Sequence, residues 1–383
     1  MGQSKSKRAK WLLPVGAGLL FFVGFENGAL QYVLLGVTSE FDLEGAAIGM
    51  LLATQYFALM IAQPLFGIIA DRVGKKPMIL VSMCIFIAGC IIIAGTPGIS
   101  LFVAGVFITG MGYGVTEALI SAALVDEYPD KAERYINISQ SLFSFGAVVS
   151  PLAANQLSKI ANARLIFLAA ALGFVALLPF FTLIPLQRRH TTKEKVAFSF
   201  RNKQLLILPL LVIPIFIYGG METSGAGFFN SLFSQALSTP EFGAYAISAF
   251  WLVMMASRLF FGVVRFPAKR VALSCMICGT AVFAALSISH SPLFSLLLCA
   301  IAGLGAGPVW AILISFAAKE VPAYSGTVVS FMTTSSGLGA TLIPILVGWS
   351  ANRFSLFAAM LTIGIVMLIC VMVFMMYLKR RPD

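Results

Sequence analysis

The sequence predicts an all-α membrane protein whose twelve transmembrane helices form two pseudo-symmetric six-helix bundles. Composition, the spacing of apolar blocks and an internal repeat predict it. Of 383 residues, 59% are hydrophobic and 11% charged, where a soluble domain runs nearer half and a quarter. With 33 Phe and a mean hydropathy of +0.95, the apolar residues exceed what one or two globular cores can bury, which excludes a soluble enzyme.

A helix needs about 20 apolar residues to cross the hydrocarbon core. Twelve stretches qualify: Trp11 to Val37, Gly45 to Ala70, Met78 to Gly95, Leu101 to Val125, Ile136 to Leu157, Leu165 to Leu186, Leu205 to Phe233, Phe242 to Val264, Val271 to Ser289, Pro292 to Ala318, Ser325 to Trp349 and Phe354 to Leu378. The first is too long and carries a glutamate, and no small-residue cleavage site follows it, so it is expected to be a span rather than a cleaved signal peptide. The polar stretch Gln187 to Gln204 separates an N-terminal bundle (1–186) from a C-terminal one (205–383).

The net charge of +11 reads as topology, since the basic residues sit in loops and no nucleic-acid-binding module is present. Loops alternately assigned place 22 Lys and Arg on the side of both termini, including Lys5, Lys7, Arg8, Lys10, Arg188 to Lys203 and Lys379 to Arg381. The other side holds three, Lys159, Arg164 and Arg353. That asymmetry puts both termini in the cytoplasm of a multi-pass protein of the plasma or inner membrane.

The halves repeat at a shift of 193 to 196 residues. Gly110, Gly112 and Gly114 return as Gly303, Gly305 and Gly307, Glu127 and Pro129 as Glu320 and Pro322, Gly146 and Pro151 as Gly339 and Pro344, and Gly67 as Gly262; Glu26 sits opposite Glu222. Two six-helix repeats in parallel are the architecture of a carrier whose central site opens alternately to each face. Transport of a small molecule is the expected function, with the lipid bilayer as surroundings and a monomer as the working unit.

Three acidic residues fall inside helices, Glu26, Glu117 and Glu222. A carboxylate at the bilayer centre costs at least a few kcal/mol, so such groups face a cavity or carry protons. Glu117 is the first candidate for proton coupling, because its repeat counterpart is Trp310 and the carboxyl is therefore no symmetric structural feature; a carboxyl merely hydrogen-bonded to its neighbours is the alternative. Arg258 lies seven residues from Arg265 and so about 10 Å deep, where snorkelling, a gate contact or an ion pair to a helix-seven or helix-four acid are all open. Asn27, Gln31, Tyr32, Gln55, Tyr56, Asn137, Gln140, Tyr218, Phe229, Asn230, Trp251, Trp310, Thr333 and Thr334 supply amides and aromatic faces suited to a neutral polyhydroxylated ligand. Interhelical hydrogen bonds are the alternative for each singly. A phosphate or dicarboxylate would call for paired deep cations, which the sequence lacks.

The loop Gly67-Ile-Ile-Ala-Asp71-Arg72-Val-Gly74-Lys75-Lys76 resembles the signature loop of the major facilitator superfamily. Gly67 is expected to allow close helix approach, Asp71 to cap or pair across a gate, and the basic cluster to anchor at the lipid surface. The equivalent loop from Gly262 to Arg270 lacks the Asp. Glu117-Ala-Leu with Asn137-Ile-Ser-Gln140-Ser-Leu-Phe-Ser144-Phe145-Gly146 is similar to the glutamate helix and the following run of the fucose:proton symporter family. Tyr218-Gly-Gly-Met-Glu222, Ser257-Arg258-Leu-Phe-Phe-Gly262 and Gly337 to Gly348 resemble that family elsewhere. The resemblance implies proton-coupled sugar uptake, with Glu117 as the proton-carrying glutamate and Gln140 among the sugar-binding amides. That family carries an aspartate in its first helix where a gapless match puts Gln31. Glu26, five residues earlier, is rotated by about 140° beyond one turn.

The rival on the same fold is a drug:proton antiporter, whose glycine-rich Gly-Pro run in helix five is missing from Gly146 to Pro151. A membrane-embedded enzyme or receptor would need a catalytic constellation or signalling domain. No ATP-binding loop appears, His190 and His290 lie in loops, and Cys275 and Cys278 have no second pair, so neither a cofactor nor a metal is expected.

Overall fold

The structure is a computed structural model that describes residues 11–44, 46–128, 132–186, 207–264, 266–320 and 325–381. The stretch Gln187 to Gln204, the basic residues before Trp11, and Pro129, Arg265 and Pro322 lie outside the described residues, as do the side chains at Asp71 and Gly262.

Twelve helices are long and apolar enough to cross a membrane, and no strand occurs among the described residues. The helices of the first half are α1 (Leu12–Glu40), α2 (Ala46–Val73), α3 (Lys75–Gly95), α4 (Ile99–Glu127), α5 (Ala132–Leu157) and α6 (Ile166–Thr182). Those of the second are α7 (Pro209–Ser231), α8 (Gly243–Val263), α9 (Ala268–Leu286), α10 (Pro292–Ala306 and Val309–Glu320), α11 (Ser325–Arg353) and α12 (Leu356–Arg380). Apolar side chains clad them throughout because a spanning segment must satisfy its backbone internally while facing hydrocarbon.

Two spans depart from plain helix. The first half of α10 ends at Ala306 and the second begins at Val309. Pro308 supplies no N–H and its ring crowds the preceding turn, so the helix breaks there. The end of α7 runs into a π-helical turn, Leu232–Ala236.

The internal repeat is written into the packing. A Cβ on Gly110 would meet the backbone of Gln55 on α2, and one on Gly303 would meet that of Phe250 on α8. Gly112 packs on Phe86 of α3 and Gly305 on Gly279 of α9; Gly114 packs on Leu59 and Gly307 on Met254 and Ser257. Gly146 on α5 meets Phe21 of α1, as Gly339 on α11 meets Phe216 of α7. Each partner pair is separated by about the same interval as the glycines themselves. The GxGxG runs are thus contact faces on which a fourth helix lies against a second and third, the small-residue packing that holds helices together in lipid.

The chain groups into two compact units, one of Met1–Val33 with Thr54–Thr192 and one of Leu34–Ala53 with Lys193–Asp383. Within the second, Asn352 donates to Glu44 at 2.7 Å and Gly49 lies on the Pro344 carbonyl. At the end of α12, Arg381 pairs with Glu320 at 2.7 Å, and the Tyr377 hydroxyl donates to the same carboxylate at 3.0 Å.

Gly74 is the single residue between α2 and α3 and has φ of 102°, a backbone conformation that glycine alone adopts without strain. Gly67 behaves otherwise: nothing described lies within 4 Å of where its Cβ would stand, so close helix approach does not require glycine there. Lys75 pairs with Asp126 at the end of α4 and donates to the Ala122 carbonyl at 3.0 Å. Lys76 donates to the Thr182 carbonyl at 2.6 Å, at the end of α6. The loop's lysines thereby tie α3 to the carbonyl ends of two other helices, where cations are favoured by the helix dipole.

Candidate functional site

In the first unit, Glu26 is fully buried on α1 and receives both available contacts of the Gln55 side-chain amide, with Nε2 at 2.9 Å from each carboxylate oxygen. Asn27 Nδ2 donates to Gln55 Oε1 at 3.4 Å and to the Tyr56 hydroxyl at 3.2 Å. Gln31 Nε2 donates to Asn27 Oδ1 at 3.1 Å. Four of the five side chains, Glu26, Asn27, Gln31 and Gln55, are buried, while Tyr56 is half-buried. Helical spacing explains the arrangement: Asn27 and Gln31 stand one turn apart on α1, and Gln55 and Tyr56 reach across from α2. Gln31 and Glu26, which face different directions on the helix, are joined through Asn27 and Gln55.

Thr109 on α4 also reaches the Glu26 carboxyl, and Cys90 on α3 stands within electrostatic range. No cation pairs with Glu26 among the described residues.

A second contact links α5 to α4, where Gln140 Nε2 donates to Glu117 Oε1 at 2.9 Å. Both side chains are half-buried, so the carboxyl is held by an amide yet remains reachable. Tyr32 donates to Asn155 Oδ1 at 2.9 Å. Asn137, on the same helix as Gln140, is exposed.

In the second unit the polar cluster is of another kind. Glu222 on α7 and Arg258 on α8 form an ion pair at 3.5 Å, with side chains 20% and 21% exposed. Arg258 Nη2 is 3.4 Å from the Tyr218 hydroxyl, and its Nε donates to the Gly307 carbonyl at 3.2 Å. That hydroxyl also bonds the Glu222 carboxylate. One guanidinium therefore joins α7 and α8 to the break in α10, and its fork of donors suits three partners at once. Trp251 is buried edge-on against Phe250, with ring centroids 5.6 Å apart. Asn230 is buried at the end of α7, where its Oδ1 accepts from Ser234 at 3.4 Å. Trp310 is half-buried, and Thr334 is exposed. Phe229 stacks on Phe283 at 6.3 Å, and Thr333 donates to the Val329 carbonyl at 2.9 Å.

Sequence reasoning missed Thr109, Asp126 and the break at Gly307 and Pro308. For the last the signal was present, a Gly-Pro step in the middle of an apolar span. Thr109 carried none, because a threonine in a membrane helix ordinarily bonds its own preceding turn, as Thr109 also does to Val106 at 2.9 Å.

The chain resembles known proteins at three levels. The model of the Major Facilitator Superfamily matches residues 16–337 and 215–383. The glucose/mannose transporter GlcP of Bacillus subtilis is 25% identical over 273 residues, 68% of this chain and 67% of GlcP. Multidrug resistance protein D of Escherichia coli is 30% identical over 115 residues, 30% of this chain and 28% of that protein. The crystal structure of the nucleoside transporter NupG superposes with a TM-score of 0.78 at 16% identity, covering 95% of this chain and 99% of that one, which shows the fold. With two six-helix repeats, carboxyls inside the spans and a family model matched along most of its length, the chain is a multi-pass membrane transporter that belongs to the Major Facilitator Superfamily.

Proposed function

We propose that this transporter imports a sugar or similar neutral polyol together with protons across the plasma or inner membrane, as a monomer with both termini in the cytoplasm. The observation that carries the reading is the Gln140 to Glu117 hydrogen bond at 2.9 Å: a half-buried carboxyl with an amide partner can gain and lose a proton, and the amide beside it can read the change. The polar groups of the first unit are amides and phenols, which bind hydroxyls as donors and acceptors alike. Arg258, inside α8, is engaged with Glu222, so it is not free to favour an anionic substrate. The likeness to GlcP, a glucose/mannose transporter by name, points the same way.

The likeness to Multidrug resistance protein D favours a second reading, export of amphipathic compounds against protons. Counterflow of labelled glucose in proteoliposomes, with and without a pH gradient, separates the two. Glucose exchange that is enhanced by an acidic exterior supports import. No exchange of any sugar, with extrusion of a cationic dye, supports export.

A further inference from the structure

We propose that the adjoining ends of α9 and α12 bind an acidic phospholipid, with Arg270, Lys379 and Arg380 taking the headgroup phosphate and the exposed methionines of α12 lying along an acyl chain. The inference is separate from the transport reading and holds whichever substrate is carried.

The sequence places cations at one end of each helix: α9 begins Ala268-Lys269-Arg270, and α12 runs out in Lys379-Arg380 followed by Arg381. Packing joins the two ends, since Lys269 Nζ donates to the Arg381 carbonyl at 2.7 Å. The end of α12 is also fixed against α10. Phe374 stacks on Phe316 with centroids 6.4 Å apart and on Tyr377 at 5.8 Å, while Tyr377 and Arg381 both hold Glu320. That carboxylate is thereby occupied by Arg381 and the phenol. Arg270, Lys379 and Arg380 stay exposed, and among the described residues none of the three has an ion-pair partner. Asp383 lies outside the described residues. A phosphodiester suits such a cluster, because the guanidinium fork meets two phosphate oxygens at once and the ammonium adds a point charge.

The first half shows that the fold does not itself require this arrangement. At the repeat shift Lys269 corresponds to Lys75 and Arg270 to Lys76. Lys75 is paired with Asp126 and Lys76 donates to the Thr182 carbonyl, so the protein's own groups engage both. Asp126 directly precedes Glu127, and the residue that directly precedes its counterpart Glu320 is Lys319. The acid that neutralises the first-half lysine is thus replaced by a further cation in the second.

Below the cluster, α12 offers a surface for hydrocarbon. Met376 and Met372 stand one and two turns before Arg380, and Met375 one turn before Lys379, on the same faces of the helix. All three are exposed, whereas Val371, Phe374 and Tyr377 are buried. Their flexible thioethers conform to an irregular chain. Cations above an apolar column at the end of two packed spans are the arrangement that holds an anionic lipid headgroup at a membrane surface.

Native mass spectrometry of the purified full-length protein in detergent, titrated with phosphatidylglycerol or with phosphatidylcholine of the same acyl chains, tests the assignment. Wild type is expected to bind phosphatidylglycerol more than about tenfold tighter. The triple variant Arg270→Gln, Lys379→Gln and Arg380→Gln should lose that preference, at about fivefold for each cation removed, the equivalent of about 1 kcal/mol. Should it fold poorly, Lys379→Gln with Arg380→Gln is read on the same scale. Arg270→Lys with Arg380→Lys keeps the charges and should keep the lipid, as should the charge-matched control Lys5→Gln, Lys7→Gln and Lys10→Gln. Equal binding of the two lipids by wild type overturns the proposal. So does an equal loss in the control, which would make the effect one of overall charge. Soluble glycerol 3-phosphate binding as tightly as phosphatidylglycerol overturns it too, since the α12 column would then contribute nothing.

Discussion

Arg258 donates to the carbonyl of Gly307 at 3.2 Å, so the guanidinium that neutralises Glu222 also holds the broken turn of α10. A carbonyl beside a helix break lacks the regular i to i+4 environment, and a charge-assisted donor is its strongest available partner. Removing either Arg258 or Glu222 leaves the other charge uncompensated in low dielectric. The double variant Arg258→Met with Glu222→Met is therefore expected to melt higher than the sum of the single losses allows. A double-mutant cycle on thermal unfolding in detergent should give a coupling of about 0.6–1.7 kcal/mol, the range of interhelical bonds in membranes. Additive losses would show that the two side chains do not act on one another.

The repeated glycine contacts make a paired forecast. Gly110→Val and Gly303→Val both push a branched side chain into the backbone of the facing helix, Gln55 in one unit and Phe250 in the other. Each should cost about 1–3 kcal/mol or more, seen as a lowered melting temperature and reduced yield of folded protein. A wild-type melting curve for either would mean that the helices stand further apart than described.

The signature loop's glycines should behave in opposite ways. Gly74→Ala forces an alanine to φ of 102° and is expected to destabilise by about 1–3 kcal/mol. Gly67→Ala enters open space in the interior of α2 and should be neutral or stabilise by up to about 1 kcal/mol through helix propensity. Differential scanning fluorimetry of the two variants decides; equal losses would contradict the geometry.

Lys75 and Asp126 pair with side chains 25% and 27% exposed. Partial exposure limits such a pair to about 0.2–1 kcal/mol. Asp126→Asn is expected to lower the melting temperature in low salt and to be nearly silent near 1 M, where the Debye length falls to about 3 Å. A loss that persists undiminished in high salt would assign Asp126 a role other than this pair.

Much of this molecule was legible in its sequence because the solvent for a membrane protein is hydrocarbon. The spans follow from length and apolar content alone, and the shift between Gly110 and Gly303 reappears as matched contacts on α2 and α8. The carboxyls stood out because an acid in oil needs a reason. Their partners did not stand out: Gln55 is one of several polar residues on α2, and only the crossing of α1 and α2 brings its amide onto Glu26. The five-residue offset between Glu26 and Gln31 separated them on a helical wheel, and a neighbouring helix reconnected them. Arg258 carried too many equivalent readings along the chain, and the choice of Glu222 was made by the packing of α7 against α8.

The central claim, that a carboxyl on α4 couples proton movement to sugar uptake, is tested most directly with proteoliposomes holding wild type or Glu117→Gln. The measurement compares glucose counterflow with accumulation driven by an acidic exterior and an interior-negative potential, the latter supplying about 2.3 kcal/mol per charge per 100 mV. Glu117→Gln is expected to retain counterflow and to lose accumulation. Accumulation equal to wild type would remove Glu117 from the coupling and contradict the mechanism.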